Sequence, residues 1–153
     1  MSFKFKHLLT SIFLLYTSQS IADLAKIKDI DFGTIAIGDN SEVSRLTVTR
    51  QGQIYRTKNL YVIEGGAPGE IEVTNYLPGT TLYLSATPST TTLAATGILA
   101  NFNMTAVDIA PSVFIGNSGV GTVTVGGTIE STGDEKVYYD AEYNSSISIM
   151  VNF

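Results

Sequence analysis

The sequence predicts an all-β protein, an antiparallel sandwich or barrel of about eight or nine strands. Three observations predict it. After Ala22 no stretch sustains the spacing of an amphipathic helix, while Thr, Val, Ile and Tyr are abundant; these residues fit a pleated, half-buried surface. Gly and Ser interrupt the chain at short intervals, as turns between short strands require. The tail alternates, with Ile147, Ile149, Val151 and Phe153 spaced two apart between Ser148, Met150 and Asn152. Successive strand side chains point to opposite faces, so this spacing makes one apolar ridge that fills either the core or an assembly groove.

The first 22 residues read as a secretory signal peptide. Lys4, Lys6 and His7 make a basic start, Leu8 to Tyr16 an apolar run, and Ser20-Ile21-Ala22 a small-x-small cleavage site. The apolar run is well short of the ~20 residues that span a bilayer, and no later segment could cross one as a helix. Cleavage leaves residues 23–153, of a size for a single domain with no linker and no internal repeat. An exported chain of this kind belongs in the periplasm, on the outer surface or outside the cell.

All fourteen acidic residues follow Ala22. Two of the nine basic ones, Lys4 and Lys6, leave with the leader, so seven positive charges face fourteen negative ones, a net of −7. Such a balance gives no electrostatic footprint for nucleic acid and is repelled by anionic lipid. The chain contains no Cys, and its single His departs with the leader. A thiol nucleophile, an imidazole base and a zinc site of N or S ligands are thereby excluded, as is a disulfide staple. The core alone must hold the fold.

Taken in order, the first strand is expected over Ala25–Phe32, with Ile27, Ile30 and Phe32 inward around an irregularity. A loop runs from Phe32-Gly33 to Asn40, and the second strand covers Glu42–Thr49, where Val43, Leu46 and Val48 break parity as at a bulge. Arg50–Gln53 turns into a strand over Ile54–Ile63. Glu64–Gly69, with its Gly-Gly and Pro-Gly pairs, reads as a loop. Glu70–Tyr76 alternates cleanly, setting Ile71 and Val73 against Glu70, Glu72 and Thr74. Leu77-Pro78-Gly79 turns the chain into Thr80–Ala86, with Leu82 and Leu84 on one side. Thr87–Gly97 is a connection. Leu99–Ile109 is a strand that switches parity midway, and Pro111 ends it. Val113–Ile115 leads to Gly121–Glu130, in which Gly126-Gly127 marks an irregularity. The last strand is expected over Val137–Phe153, kinked near Asn144-Ser145.

Four of these pieces together resemble a known family: Phe32-Gly33-Thr34-Ile35, then Gly69–Thr74 leading to Leu77-Pro78, then Val125-Gly126-Gly127-Thr128-Ile129, then the aromatic-terminated last strand. They resemble the exported bacterial family known as domain of unknown function 4402 over nearly all of residues 23–153. The resemblance implies an immunoglobulin-like β-sandwich similar to pilus and spore-coat subunits, which borrow a strand from a neighbour. A donor arm takes roughly ten free residues. Asp23–Asp31 are already claimed by the predicted first strand, which leaves self-completion and strand exchange both open.

The candidate sites are few. Tyr138, Tyr139 and Tyr143 cluster before the last strand; exposed they would form a recognition surface, buried they would pack core or edge. Asp134, Glu135, Asp140 and Glu142 offer hard oxygen ligands for Ca²⁺, or simply a solvated turn, and lack the Asp-x-Asp-x-Asn-Gly spacing. Glu70 and Glu72 lie on one strand face, whereas a glycosidase pair needs carboxylates opposed across a cleft. The expectation is therefore no catalytic, cofactor or metal site. The chain reads as a non-enzymatic exported structural or adhesive protein, meeting like subunits or a surface ligand through a strand edge. Two alternatives stand beside it, a small outer-membrane β-barrel and a secreted glycan-binding module.

Overall fold

The computed structural model describes residues 23–88, 93–94 and 100–152. The predicted leader, most of the Thr87–Gly97 connection and Phe153 lie outside the described residues. The chain is all-β and its paired strands are antiparallel. In order the strands are β1 (Asp23–Lys28), β2 (Asp31–Ile37), β3 (Arg45–Val48), β4 (Ile54–Arg56), β5 (Leu60–Ala67), β6 (Gly69–Thr74) and β7 (Thr81–Pro88). After them come β8 (Leu93–Ala94), β9 (Asn103–Ile109), β10 (Ser112–Phe114), β11 (Gly121–Glu130), β12 (Tyr143–Asn144) and β13 (Ile147–Asn152). The thirteen segments among the described residues exceed the eight or nine expected: three runs that look continuous in sequence divide where the chain changes sheet, and β8 falls inside the expected Thr87–Gly97 connection.

The largest sheet is organised by β11, the one strand long enough to take three neighbours. Val125 pairs with Gly69 of β6 and Ile109 of β9, and Gly127 with Val48 of β3 and Val107 of β9. β9 therefore holds one edge of β11, while β6 and then β3 share the other, end to end. β1 extends the sheet beyond β6, and β4 extends it beyond β3. A second layer, β10-β7-β13, lies against it. Val73, Val123 and Val125 of the first layer and Leu82, Leu84, Val113 and Ile115 of the second form one buried cluster. The ribbon β2-β5 covers a second cluster of Leu46, Leu60, Phe102, Met104 and Ile129. Ile30, Val107 and Ile147 pack against both clusters, making the core continuous. Among the described residues the sheets are separate and have open edges, whereas a membrane barrel closes one sheet on itself. No described helix is long and apolar enough to cross a membrane.

Several expectations need correction. The predicted first strand is two strands in two sheets, and Ile27 is not inward but 55% exposed, at the bulge in the β1–β6 pairing. β3 needs no bulge, because Val43 lies outside the strand on the surface. Gly65-Gly66 is not a loop but part of β5, pressed against β2. A Cβ on Gly66 would lie 2.1 Å from the Asp31 carbonyl oxygen, a contact only glycine permits. Nor is Val137–Phe153 one kinked strand: residues 137–142 are irregular, and β12 and β13 are separate.

Gly126-Gly127 interrupts nothing, since β11 runs through it unbroken. Gly126 sits where β6 hands over to β3, and the chain leaving β3 passes over it. A Cβ there would lie 2.3 Å from the Val48 carbonyl oxygen and 2.6 Å from the Arg50 nitrogen. The Asp108 carboxylate, opposite Gly126 in the ladder, accepts a hydrogen bond from that Arg50 N–H at 2.9 Å and fixes the crossing. The parity switch in β9 is a bulge, as its register against β11 skips Thr105.

Candidate functional site

Among the described residues the two-layer core is open on one side. β1 is an edge strand with all six residues exposed, paired among the described residues with β6. Among the described residues β13 is likewise an edge, paired with β7 alone. Between the β1-β2 segment and residues 135–149 runs an open groove of about 1750 Å³. Its walls include Leu24, Ile71, Val125, Ile147 and Ile149, residues of the type and parity that a sandwich normally buries.

The tail residues supply one wall. Ile147, Ile149 and Val151 share a face, each half-buried, while Ser148, Met150 and Asn152 are exposed on the other. Ile147 and Val151 pack on the core, and Ile149 lines the groove without joining either buried cluster. Phe153, the fourth member of the predicted ridge, lies outside the described residues. Alternation alone does not distinguish an edge strand from one inside a sheet.

Lys26 and Lys28 line the β1 side of the groove; Glu135, Asp140 and Glu142 line the far side. Lys26 is held by Asp29 at 2.9 Å, both exposed. Lysines on an edge strand discourage indiscriminate edge-to-edge pairing, because a passing strand would have to desolvate them.

The tyrosines divide. Tyr138 and Tyr143 both pack on buried Phe102, with ring centroids 4.7 Å and 5.2 Å away, the second edge-on. The Tyr138 hydroxyl accepts from Thr132 N–H and donates to the Asn101 carbonyl, each at 3.0 Å. The Tyr143 hydroxyl donates to the Tyr139 carbonyl at 3.2 Å. Only the Tyr139 ring stands exposed, so the three do not form one surface. A half-buried tyrosine fills apolar space while its hydroxyl finds a partner, and two of these three do that.

The acidic turn is organised from afar by Asn40, which the sequence reading placed at the end of a loop without a structural role. Its carboxamide N–H₂ lies 3.1 Å from Thr132 Oγ1, 3.2 Å from Asp134 Oδ1 and 3.0 Å from the Lys136 carbonyl. Its side-chain oxygen accepts from Gly133 N–H at 3.0 Å. The Lys136 ammonium, 2.6 Å from Asp134, and the Thr132 hydroxyl hold the Asp134 carboxyl down to about 2. Asp134 thus serves the turn itself. Glu70 and Glu72 stand in separate cross-strand rows, beside Lys28 and Thr124 and beside Ala25 and Thr122. Both point the same way from one strand, and neither faces an opposed carboxylate on a neighbouring strand.

Comparison with protein-family models, with curated proteins and with solved structures finds no match.

Proposed function

We propose that this chain is an exported, non-enzymatic structural or adhesive subunit of the pilin-like kind, joining its neighbours by β-strand addition. One observation carries the reading: an open groove between the β1-β2 segment and residues 135–149, walled by Ile71, Val125, Ile147 and Ile149 and flanked by edge strands. A guest strand laid there would gain main-chain hydrogen bonds from an edge and apolar contacts from alternate side chains. The immunoglobulin-like topology implied by the motif resemblance belongs to the same reading. So does export, which the basic-apolar-small leader supports. The absence of Cys, and of His beyond residue 7, supports a non-enzymatic role.

The test is the assembly state of the purified mature chain. Light scattering over a concentration series is expected to give oligomers that survive on unboiled denaturing gels. Ile149→Asp, at the groove wall and outside both buried clusters, is expected to stay monomeric with unchanged far-UV circular dichroism. A wild-type chain that remains monomeric at every concentration overturns the reading.

A further inference from the structure

From Val73 to Ile129 the chain carries a single charged side chain, Asp108, and from Tyr143 onward it carries none. These two stretches supply all three strands of the second layer, so β10, β7 and β13 contain no charged residue. The outer face of that layer is therefore a neutral field on an acidic protein. Thr81, Ser85, Thr87, Ser112, Ser148 and Asn152 occupy it, all exposed.

Three large side chains stand up from this field. Phe114 is 63% exposed, Tyr83 58% and Met150 56%. The register puts Phe114 opposite Thr81, Asn152 opposite Tyr83 and Met150 opposite Ser85. Each of the three is thus displaced by two residues on moving to the next strand. They form a straight diagonal, with steps of ~7–8 Å and a total length of roughly 15 Å.

We propose that this face binds an uncharged polysaccharide. The Tyr83 and Phe114 rings would stack on the apolar C–H faces of successive sugar rings. The flanking Ser, Thr and Asn side chains both donate and accept hydrogen bonds, as sugar hydroxyls require. A face without ions offers nothing to attract a charged ligand, and a neutral glycan loses no ionic hydration on landing there. Size argues against a protein partner. Three strands ~4.8 Å apart, of eight, six and three residues at ~3.4 Å each, cover at most roughly 400 Å², well under the ~800 Å² per partner of a stable protein interface. The face is remote from the groove wall, as Ile147, Ile149 and Val151 point the opposite way from Met150, so this binding does not depend on strand addition.

The experiment is affinity electrophoresis of the mature chain in gels containing hydroxyethylcellulose, mixed-linkage β-glucan, galactomannan or dextran, with alginate as the anionic control. Depletion by insoluble cellulose and chitin extends the series. Retardation by at least one neutral polymer is expected, unchanged by added salt. Tyr83→Ala and Phe114→Ala should each weaken it by about fivefold or more, and Tyr55→Ala, exposed on β4, should not. The substituted side chains are exposed, and thermal melts verify folding; chemical-shift mapping on the wild type gives a second readout needing no variant. The proposal is overturned by any one of four results: no retention on any neutral polymer, retention on alginate alone, binding that both variants keep, or shifts mapping elsewhere. It also fails if the face instead mediates a concentration-dependent dimer that Tyr83→Ala dissolves.

Discussion

Asn40 holds Asp134 across 94 residues of sequence, its side-chain N–H₂ 3.2 Å from the carboxylate and its oxygen accepting from Gly133 N–H. Asn40 is 7% exposed and its backbone carbonyl also accepts from Glu135 N–H, so the loop after β2 and the turn after β11 form one unit. Replacing a buried, multiply bonded amide leaves its partners unsatisfied, at about 1–3 kcal/mol. Asn40→Ala is expected to lower the urea midpoint accordingly, without changing the slope of the transition.

The same turn makes stability depend on acid. The Asp134 carboxyl is held at about 2, below its ordinary 3.8, chiefly by Lys136 and then by Thr132. A depressed carboxyl contributes stability above its unfolded value and loses it as pH falls towards the folded one. The advantage of the wild type over Asp134→Asn should therefore be full above pH 4 and shrink between 4 and 2. Thermal melts of both proteins across that window measure it. A constant difference would mean that Asp134 acts other than through its charge.

Gly126→Ala is expected to be severe. Its Cβ would meet backbone atoms of Val48 and Arg50 at 2.3 and 2.6 Å, and backbone held by the Asp108 hydrogen bond cannot step aside as a side-chain tip can. A loss of about 3 kcal/mol or more is expected. Gly79→Ala is the comparison: its Cβ meets nothing, although its positive φ of 81° adds some strain. Denaturation of the two variants side by side checks the order.

Tyr138→Phe separates the two roles of that ring. Packing on Phe102 at 4.7 Å survives, while the hydroxyl linking Thr132 N–H to the Asn101 carbonyl is lost. A destabilisation of about 1–2 kcal/mol is expected. Hydrogen exchange at Thr132 should accelerate, and β11, which ends before it, should be unaffected.

Much of this architecture is legible in the chain. The clean alternation of Glu70–Thr74, the inward pair Leu82 and Leu84, and the span Gly121–Glu130 all correspond to strands or faces seen in the fold. Each is local, set by which neighbours share a side of one extended segment. The tail's parity is equally local, and Ile147, Ile149 and Val151 do share a face. What the chain conceals is which strand lies beside which. Gly126 looks like a break and is a crossing point, and Asn40 looks like loop filler and is a clamp.

The amino-acid sequence by itself determined that this protein is all-β, that its strand faces alternate, and that it carries neither Cys nor a His beyond residue 7. Those are properties of residue type and spacing, fixed before any two distant segments meet. Only the tertiary structure decided that β1 and β13 are edges, that a groove stays open beside them, and that Phe114, Tyr83 and Met150 align across three strands. Edges, grooves and diagonals are relations between segments far apart in the chain, set by register and by the burial of the shared core.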